Sequence, residues 1–439
     1  MSSSERFTAE YQSKLCEPED ATRSIPNDTM AIFGTGLAEP QKLLWALASR
    51  LRDGDLARLR VFCGPPGYYA ADSLCAPDIA SQVERVCQFV GPTERDNIRA
   101  RTVSYLPHQF HQIPRLIRET MDVDLAFTTV SPMDASGNFT LGTNNDFISG
   151  ALACAKHVIV EVNENMPRVH GDAFLHIRDV DAVVENHVPL PPVVRVPGGP
   201  EDKTIADRIA ELVPDGATIQ VGSGVLPGMV CNALAGHRDL GIHTELLVPG
   251  LLDLVRSGAA NGSRKTEKPG KHVYTLIVGD ADDLALVHDN PDFESHPVTY
   301  TNHPSNIARN DRMISINAAL EIDLLGQVNA ESLGGFQFSG AGGQLDFVRG
   351  AYDAQDGKSI LAFHSTASKR SVSRVVPVLP EGTVVTTPRS DVHYVVTEFG
   401  VANLKGKSVK ERALAVIELA HPDYREELLR AARDDLQVV

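Results

Sequence analysis

The chain has 439 residues, 42% of them hydrophobic and 22% charged, which is the composition of a globular enzyme rather than of a disordered or fibrous protein. Its length exceeds what a single hydrophobic core supports, and its formal net charge of -16 disfavours nucleic acid or an anionic membrane surface as the main partner. The amino-terminal residues lack the apolar core of a signal peptide and no run of about 18 apolar residues occurs, so we expect a cytoplasmic protein without a membrane partner.

The six cysteines form no CxxC pair and have no regular spacing, which is typical of reduced, mostly buried thiols. The nearest approach to a metal motif is His108-Gln-Phe-His111, which stands before Pro114 with no third ligand in register. We therefore expect neither a disulfide framework nor a bound metal.

An apolar strand that ends in Gly34-Thr-Gly36 and leads into a helix over residues 41–51 is the first predicted unit of structure. The same order recurs in the second half, where a strand over residues 217–221 ends in Gly222-Ser-Gly224 and leads into a helix over residues 228–235. In both places a glycine turn connects a strand to a helix.

A second pair of similar segments indicates that these units belong to a duplication. Residues 124–137 resemble residues 313–326, at almost the same separation as the two Gly-x-Gly turns, and two landmarks at nearly one offset indicate a repeated domain. The Pro-rich stretch 189–200 is extended and poor in hydrogen-bond donors, as a linker would be. We predict an amino-terminal domain over residues 1–195 and a carboxy-terminal domain over residues 196–439.

Short runs rich in Val and Ile, such as residues 273–278 and 384–387, alternate with helical stretches such as 203–212, and an amphipathic helix over residues 422–436 closes the chain. This alternation predicts an α/β fold of two tandem, duplicated open domains with mostly parallel sheets. Ligands of such sheets bind at the carboxyl ends of the strands, where both Gly-x-Gly turns fall.

A third glycine-rich segment covers residues 334–350, with a glycine density that an ordinary strand or helix would not tolerate. Gly340, Gly342 and Gly343 stand close together, which suggests positive φ angles and backbone N–H groups turned towards a ligand. A flexible solvent loop is the alternative, although Phe338 nearby would anchor such a loop poorly.

The turn that begins at Gly222 does not identify its ligand by itself, because strand, Gly-x-Gly and helix also describe a dinucleotide site. The spacing argues against that interpretation. Pro227 occupies the position of the third glycine of a Rossmann fingerprint, and no acidic residue ends a following strand at the usual place.

Glu245 is the candidate catalytic acid. It lies in the mostly apolar segment 241–250, at the end of a short predicted strand, with Thr244 and Leu246 beside it and no adjacent basic residue. Such an acid is either on an exposed turn or buried for a purpose, and the residues alone leave both interpretations open.

Several motifs stand in order along the chain. They are Glu161-Val-Asn-Glu-Asn-Met-Pro167, Ile219-Gln-Val-Gly-Ser-Gly-Val-Leu-Pro227, Leu240-Gly-Ile-His-Thr-Glu245, Asn317-Ala-Ala-Leu-Glu-Ile-Asp-Leu-Leu-Gly-Gln-Val-Asn-Ala-Glu-Ser332, Ser339-Gly-Ala-Gly-Gly-Gln-Leu-Asp-Phe347 and Asp391-Val-His-Tyr-Val-Val-Thr-Glu-Phe-Gly400. Together they resemble the acetyl-CoA hydrolase/transferase family of class I coenzyme A transferases, and most of all its 4-hydroxybutyrate CoA-transferase-like branch. The resemblance runs from about Ile25 to the carboxyl terminus.

The resemblance implies a CoA-transferase that moves coenzyme A from an acyl-CoA to a short-chain carboxylate. Glu245 would be the nucleophile of a ping-pong mechanism through a glutamyl-CoA thioester, and Asn302 would lie near the acyl carboxylate. Coenzyme A and acyl-CoA would be substrates, with no permanently bound cofactor. The positions that the resemblance assigns to coenzyme A and the oxyanion are Gly222, Ser223, Gly224, Val225, Leu226, Leu320, Gly342, Gly343 and Lys369.

Three functions compete at this point: the transferase, an acyl-CoA hydrolase on the same scaffold, and a non-catalytic protein that binds coenzyme A or a nucleotide. Retention of Glu245 together with the glycine loops argues against the third. Lys369 has the alternative of being a solvated surface lysine. Ser223 and His364 differ from the residues that we associate with the family at these positions. The sequence does not identify which acyl group the protein prefers. We also expect a homodimer or a higher homo-oligomer.

Overall fold

The computed structural model describes residues 3–367 and 370–439. The chain forms two compact units. Unit 1 comprises Met1–Val193 and Val273–Thr301, and unit 2 comprises Val194–His272 and Asn302–Val439. The segment Val273–Thr301, which the sequence analysis assigned to the second domain, therefore lies with unit 1.

Unit 1 is built on a seven-stranded sheet. Its strands are β1 (Thr29–Phe33), β2 (Leu59–Cys63), β3 (Val83–Cys87), β4 (Val103–Tyr105), β5 (Leu125–Val130), β6 (His157–Val162) and β7 (Ala182–Glu185). They lie in the order β7-β6-β5-β1-β2-β3-β4, and every neighbouring pair is parallel. The central strands β1 and β5 are buried along their whole length, as expected for a parallel sheet covered on both faces.

The helix Gln41–Asp53 follows the first Gly-x-Gly turn, buries an apolar face of leucines and ends at Gly54, whose φ of 81° is left-handed. The α-helices described in unit 1 are Ser3–Lys14, Pro18–Thr22, Gln41–Asp53, Tyr68–Ala71, Arg95–Ala100, Ile113–Thr120, Ile148–Leu152, Ala281–Val287 and Val298–Thr301. Its short strands are Asn138–Thr140, His170–Gly171, Phe174–His176, Leu276–Ile277 and Phe293–Ser295, and the strand His272–Tyr274 begins on the last residue of a unit 2 segment.

Unit 2 is built on a six-stranded sheet. Its strands are β8 (Thr218–Val221), β9 (Gly241–Ile242), β10 (Met313–Ala318), β11 (Lys358–Ala362), β12 (Tyr394–Thr397) and β13 (Gly400–Asn403). They lie in the order β9-β8-β10-β11-β12-β13, and all neighbouring pairs are parallel except the β12–β13 hairpin at one edge.

The α-helices described in unit 2 are Pro200–Ala210, Val225–Ala233, Pro249–Arg256, Pro304–Ile307, Gln344–Asp353, Val409–Leu419 and Pro422–Asp434. Its short strands are Leu246–Leu247, Glu321–Asp323, Val328–Asn329, Ser332–Leu333, Phe336–Gln337, Thr366–Ala367, Val372–Ser373 and Val375–Val376. The single-turn 3₁₀ helices of the two units are Gly36–Ala38, Pro77–Ile79, Pro92–Glu94, Phe110–Gln112, Ile177–Asp179 and Leu234–Gly236.

The predicted α/β fold of two tandem domains with mostly parallel sheets is confirmed. The predicted strand over residues 384–387 is wrong, because only Thr387 of this segment forms a β-bridge and a single bridge is not a strand. Val384 donates its N–H to the Ser332 hydroxyl, and Thr387 forms only an isolated bridge with Val328. Over the described residues, no helix has the length and apolar character needed to cross a membrane.

Candidate active site

Three loops that carry predicted site residues lie at one edge of the unit 2 sheet. The strands β9, β8 and β10 are parallel neighbours, so their carboxyl ends share an edge. Glu245 follows β9, the turn Gly222–Leu226 follows β8, and Leu320 follows β10. This is the edge at which open parallel sheets bind their ligands.

Glu245 lies on a bend between β9 and the strand Leu246–Leu247, and it is half-buried. Its carboxylate accepts a hydrogen bond from Asn302, whose Nδ2 lies 2.6 Å from Oε2. A bond from an amide to a carboxylate is charge-assisted, which makes it stronger than a neutral bond and fixes the orientation of the acid. The acid is therefore on a turn, partly withdrawn from water and held in place.

Asn302 is fully buried immediately before the helix Pro304–Ile307. Its Nδ2 is engaged with Glu245, whereas its Oδ1 is buried and accepts no hydrogen bond from any described residue. Leaving a buried acceptor unpaired costs about 1–3 kcal/mol. An ordered water or a substrate donor beside Glu245 would remove that cost.

Gly343 faces the same pair. A Cβ built on Gly343 would lie 2.0 Å from Glu245 Oε2 and 2.2 Å from Asn302 Nδ2, far inside contact distance. Only a residue without a side chain therefore allows the loop and the hydrogen-bonded pair to coexist.

The expectation of positive φ angles in this loop is confirmed at one glycine and wrong at the others. Of Gly340, Gly342 and Gly343, only Gly342 is left-handed, with φ of 51°. Gly343 has φ of -91° and caps the helix Gln344–Asp353. Its requirement for glycine is steric rather than conformational.

The turn Gly222–Leu226 connects β8 to the helix Val225–Ala233, as the sequence predicted. Gly224 has φ of 118°, a conformation that favours glycine. The N–H of Gly222 donates to the carbonyl of Ile316 at 2.9 Å, so it is not available to an oxyanion. The donors that this turn can offer a ligand come from the residues after Gly222, where the first N–H groups of a helix lack intrahelical acceptors.

Leu320 is half-buried in the bend after β10, and its N–H donates to the carbonyl of Asn329 at 2.8 Å. It can therefore contact a ligand with its side chain or its carbonyl, but its amide is engaged. Lys369 lies outside the described residues.

A polar pair beneath the glycine turn has no local signal in the sequence. The side-chain amides of Gln220 on β8 and Asn317 on β10 exchange two hydrogen bonds, of 3.1 Å and 3.0 Å. Asn317 Oδ1 also lies 3.4 Å from where a Cβ on Gly222 would stand. Strand register alone could have revealed the pair, because Gln220 and Asn317 are distant in sequence and meet only across neighbouring strands.

Unit 2 also contains a polar cavity of about 390 Å³, lined in part by His364, Arg370, Arg374 and Glu398. Ser365, at its side, donates its N–H and hydroxyl to the Glu398 carboxylate at 2.9 Å and 2.6 Å. Burial lowers the pKa of the Arg374 guanidinium, against the opposing effect of Glu398. The cavity is therefore lined by two arginines and by Glu398, whose carboxylate is already hydrogen-bonded to Ser365.

In unit 1 the first Gly-x-Gly turn is fixed by side chains from a later loop. Asn144 Nδ2 donates to Thr35 Oγ1 at 2.8 Å and to the buried Asp146 carboxylate at 3.4 Å. Asp146 accepts the backbone N–H groups of Phe147 and Ile148. Burial raises the pKa of Asp146 to about 7, although these hydrogen bonds favour its charged form.

Comparison with known proteins matches both halves of the chain to the two domains of one family. The model of the acetyl-CoA hydrolase/transferase N-terminal domain matches residues 1–195, and that of the C-terminal domain matches residues 279–432. The resemblance inferred from the motifs is confirmed by both matches.

Three similar proteins extend this result. The chain is 41% identical over 430 residues to a succinyl-CoA:cyclohexane-1-carboxylate CoA transferase of Geobacter metallireducens, covering 97% of both chains. It is 40% identical over 422 residues to a 4-hydroxybutyrate coenzyme A transferase of Clostridium kluyveri, covering 95% of this chain and 97% of the relative. The crystal structure of RipA from Yersinia pestis superposes with a TM-score of 0.95 at 46% identity, covering 99% of this chain and 100% of that one.

Proposed function

Because the chain belongs to the acetyl-CoA hydrolase/transferase family and is a CoA-transferase, we propose that it moves coenzyme A from an acyl-CoA to a short-chain carboxylate with Glu245 as nucleophile. One observation carries the residue assignment. The Glu245 carboxylate is held by Asn302 at 2.6 Å and faced by Gly343, where no side chain fits. This arrangement fixes the orientation of the carboxylate and brings the backbone of the glycine loop close to it.

A carboxylate is a chemically suitable nucleophile for this exchange. Attack of Glu245 on an acyl thioester gives a mixed anhydride, which stays as reactive as the thioester, whereas a serine would form a stable ester and trap the acyl group. Coenzyme A then attacks the glutamyl carbonyl, forms a thioester with the enzyme and releases the first acid. An incoming carboxylate repeats these steps in reverse, which gives ping-pong kinetics.

Each tetrahedral intermediate of this sequence needs hydrogen-bond donors that are in place before the charge forms. The segment Ser223–Leu226 supports this role, because it begins a helix at the same sheet edge as Glu245. The Gly342-Gly343 turn supports it by bringing backbone to the carboxylate. Gly222 and Leu320 would contribute contacts other than their N–H groups, since both amides are engaged.

The phosphate groups of coenzyme A are anionic and need a cationic surface to bind to. We propose that they bind at the polar cavity, because Arg370 and Arg374 line it and guanidinium groups bind phosphates bidentately. Lys369 precedes Arg370 in the sequence and is proposed to contribute a further cation. We propose a short-chain carboxylic acid as acceptor, like the 4-hydroxybutyrate in the name of one relative, whereas another relative is named for the ring acid cyclohexane-1-carboxylate.

A trapping experiment tests the nucleophile. Purified protein is incubated with an acyl-CoA, treated with borohydride and digested with trypsin, and the peptide covering residues 239–256 is analysed by mass spectrometry. Borohydride reduces a glutamyl thioester to an alcohol, so we expect the reduced side chain at Glu245. The same treatment of Glu245→Gln is the matched control. Reduction at another acid, or an unmodified peptide under conditions of turnover, would contradict the assignment.

Initial rates separate a transferase from a hydrolase. A transferase protects its thioester from water until an acid arrives, so release of coenzyme A from acyl-CoA alone should be slow. Adding acetate, propionate, butyrate or 4-hydroxybutyrate should raise the rate and give parallel double-reciprocal lines. Fast release of coenzyme A without any acid, unchanged by the panel, would favour the hydrolase and make Glu245 a general base for water.

The proposal includes a homodimer or a higher homo-oligomer in the cytoplasm. Light scattering of the purified chain measures its mass in solution, and a monomer at the concentrations of the assay would overturn that part alone.

A further inference from the structure

The residue after Gly343 ties the glycine loop to two other parts of unit 2. Gln344 begins the helix Gln344–Asp353 and is buried. Its Nε2 donates to the carbonyl of Ala318 at 2.8 Å, and its Oε1 accepts a hydrogen bond from the Thr387 hydroxyl at 3.1 Å. One side chain thus connects the glycine loop to the end of β10 and to the segment that contains Thr387.

The two hydrogen bonds allow the Gln344 amide a single orientation. The Ala318 carbonyl can only accept a hydrogen bond, so it requires the NH₂ end of the amide, and the oxygen end then faces Thr387. Ala318 is the last residue of β10, which is paired with β8 on one side and with β11 on the other. One anchor of Gln344 therefore belongs to the interior of the unit 2 sheet.

The second anchor of Gln344 is fixed by backbone pairing. The Thr387 N–H donates to the Val328 carbonyl at 3.0 Å, and the Val328 N–H donates to the Thr387 carbonyl at 3.1 Å. Thr387 is also fully buried, so its hydroxyl is held at the position from which it donates to Gln344. The segment 384–387, which is not a strand, therefore holds a buried hydroxyl against the residue that follows the glycine loop.

Gln344 also closes the turn that approaches the Glu245 carboxylate. Its backbone N–H donates to the carbonyl of Ala341 at 3.2 Å, which closes the turn around Gly342 and Gly343. A Cβ on Gly343 would lie 2.0 Å from Glu245 Oε2, so the backbone of this turn lies against the carboxylate. A displacement of Gln344 would therefore move the backbone that faces Glu245.

From these contacts we propose that Gln344 is a positioning residue for the transfer reaction. Its two anchors keep the backbone of Gly343 at a fixed distance from the Glu245 carboxylate. This inference rests on the proposed role of Glu245 as nucleophile. Gln344 acts through the backbone of Gly343 rather than on the substrate, because both ends of its amide are engaged with the protein.

Thr387→Val tests the proposal with a nearly isosteric change. The variant keeps the shape of the side chain and removes the hydroxyl that donates to Gln344 Oε1. A misplacement of about 1 Å costs about a hundredfold in rate, so the smaller movement that one lost anchor permits should lower kcat roughly tenfold. Thr387→Ser keeps the hydroxyl and should stay within about twofold of the parent chain. Val385→Ala, at an exposed position of the same segment, is the matched control and should leave kcat unchanged.

A double-mutant cycle separates positioning from a general loss of structure. In Gly343→Ala the added Cβ already displaces the Glu245 carboxylate, so the turn no longer sets its geometry. Thr387→Val should therefore lower kcat less than about threefold in that background, against roughly tenfold in the parent chain. A general loss of structure would lower kcat by the same factor in both backgrounds.

Three outcomes overturn the proposal. They are a Thr387→Val variant with kcat within about twofold of the parent chain, a Thr387→Ser variant as slow as Thr387→Val, and equal factors in the two backgrounds of the cycle. If Thr387→Val does not fold, as judged by urea unfolding, Gln344→Glu decides. Its ionised carboxylate cannot donate to the Ala318 carbonyl, so kcat should fall more than about tenfold, and an unchanged kcat would overturn the proposal.

Borohydride trapping on the parent chain distinguishes failure of this proposal from failure of the proposed function. If the parent chain is reduced at Glu245 and Thr387→Val keeps the parent kcat, the nucleophile assignment stands and only the positioning role of Gln344 is refuted. If the parent chain turns over without reduction at Glu245, the nucleophile assignment fails and the positioning role fails with it.

Discussion

Substitution of Gly343 by alanine is the sharpest test of the site, because its effects on folding and on catalysis should separate. The added Cβ would stand 2.0 Å from Glu245 Oε2 and 2.2 Å from Asn302 Nδ2. Both atoms are the ends of side chains that can rotate, so the fold can accommodate the methyl group. The hydrogen-bonded pair cannot keep its geometry.

The size of the catalytic loss follows from the distance that the carboxylate must move. A carbon–oxygen contact of ordinary length requires a displacement of about 1 Å, and a misplacement of that order costs about a hundredfold in rate. A hundredfold loss corresponds to about 2.7 kcal/mol of transition-state stabilisation. We expect this decrease in kcat, with a change of less than about 1 kcal/mol in the free energy of unfolding.

Gly335→Ala is the matched control. It adds the same methyl group in the same glycine-rich segment, where a Cβ would meet no atom within 4 Å. Initial rates of transfer and urea unfolding should be measured for both variants. If both variants transfer coenzyme A at rates within about threefold of the parent chain, the Glu245–Asn302 pair does not have the proposed role.

Four further predictions concern single residues. Glu245→Gln should abolish transfer while coenzyme A still binds by calorimetry, and retained turnover, with deamidation excluded by mass, would contradict the nucleophile assignment. Asn302→Ala should lower kcat through loss of a hydrogen bond to a charged group, roughly tenfold to a hundredfold, and Asn302→Asp should be worse because a like charge faces Glu245. Gly342→Ala should lower stability by roughly 1–2 kcal/mol, because φ of 51° strains an alanine, and Gly342→Asn should cost less. Burial raises the pKa of Asp146 from 3.8 to about 7, so the folded chain keeps a proton that the unfolded chain has released, and stability should fall as pH rises through this window. Asp146→Asn should remove roughly 3 kcal/mol of that fall between about pH 4.5 and pH 8 in urea titrations, and parallel curves for the two proteins would contradict the shift.

The sequence predicted the strand–turn–helix units correctly, because each is a local pattern: an apolar run, a Gly-x-Gly pair and an amphipathic stretch. The helix after Gly36 was expected over residues 41–51 and is Gln41–Asp53. The run over residues 384–387 is also rich in valine, yet its pairing is limited to an isolated bridge between Thr387 and Val328 and it is not a strand. Sequence gives the propensity of a segment, and only the tertiary structure supplies its partner.

The site residues also divide into those with a local sequence signal and those that only the tertiary structure reveals. Glu245 can be proposed from the sequence, because an isolated acid in an apolar segment is a local anomaly and its motif carries a resemblance. The pair Gln220–Asn317 was missed because each is an ordinary polar residue until strand register brings the two together. The engaged N–H groups of Gly222 and Leu320 could not be foreseen, because hydrogen bonding of a backbone group depends on its neighbours in the sheet.

The two adjacent glycines show that a sequence motif does not reveal why each of its residues is required. Gly342 and Gly343 are adjacent and chemically identical, yet the first is required for its φ of 51° and the second for the space that Glu245 and Asn302 occupy. A conformational requirement acts on the folded state as a whole, so its violation lowers stability. A steric requirement against movable side-chain ends acts on their geometry, so its violation lowers the rate. Two neighbouring alanine substitutions should therefore fail in different assays, and that difference identifies which backbone position belongs to the chemistry.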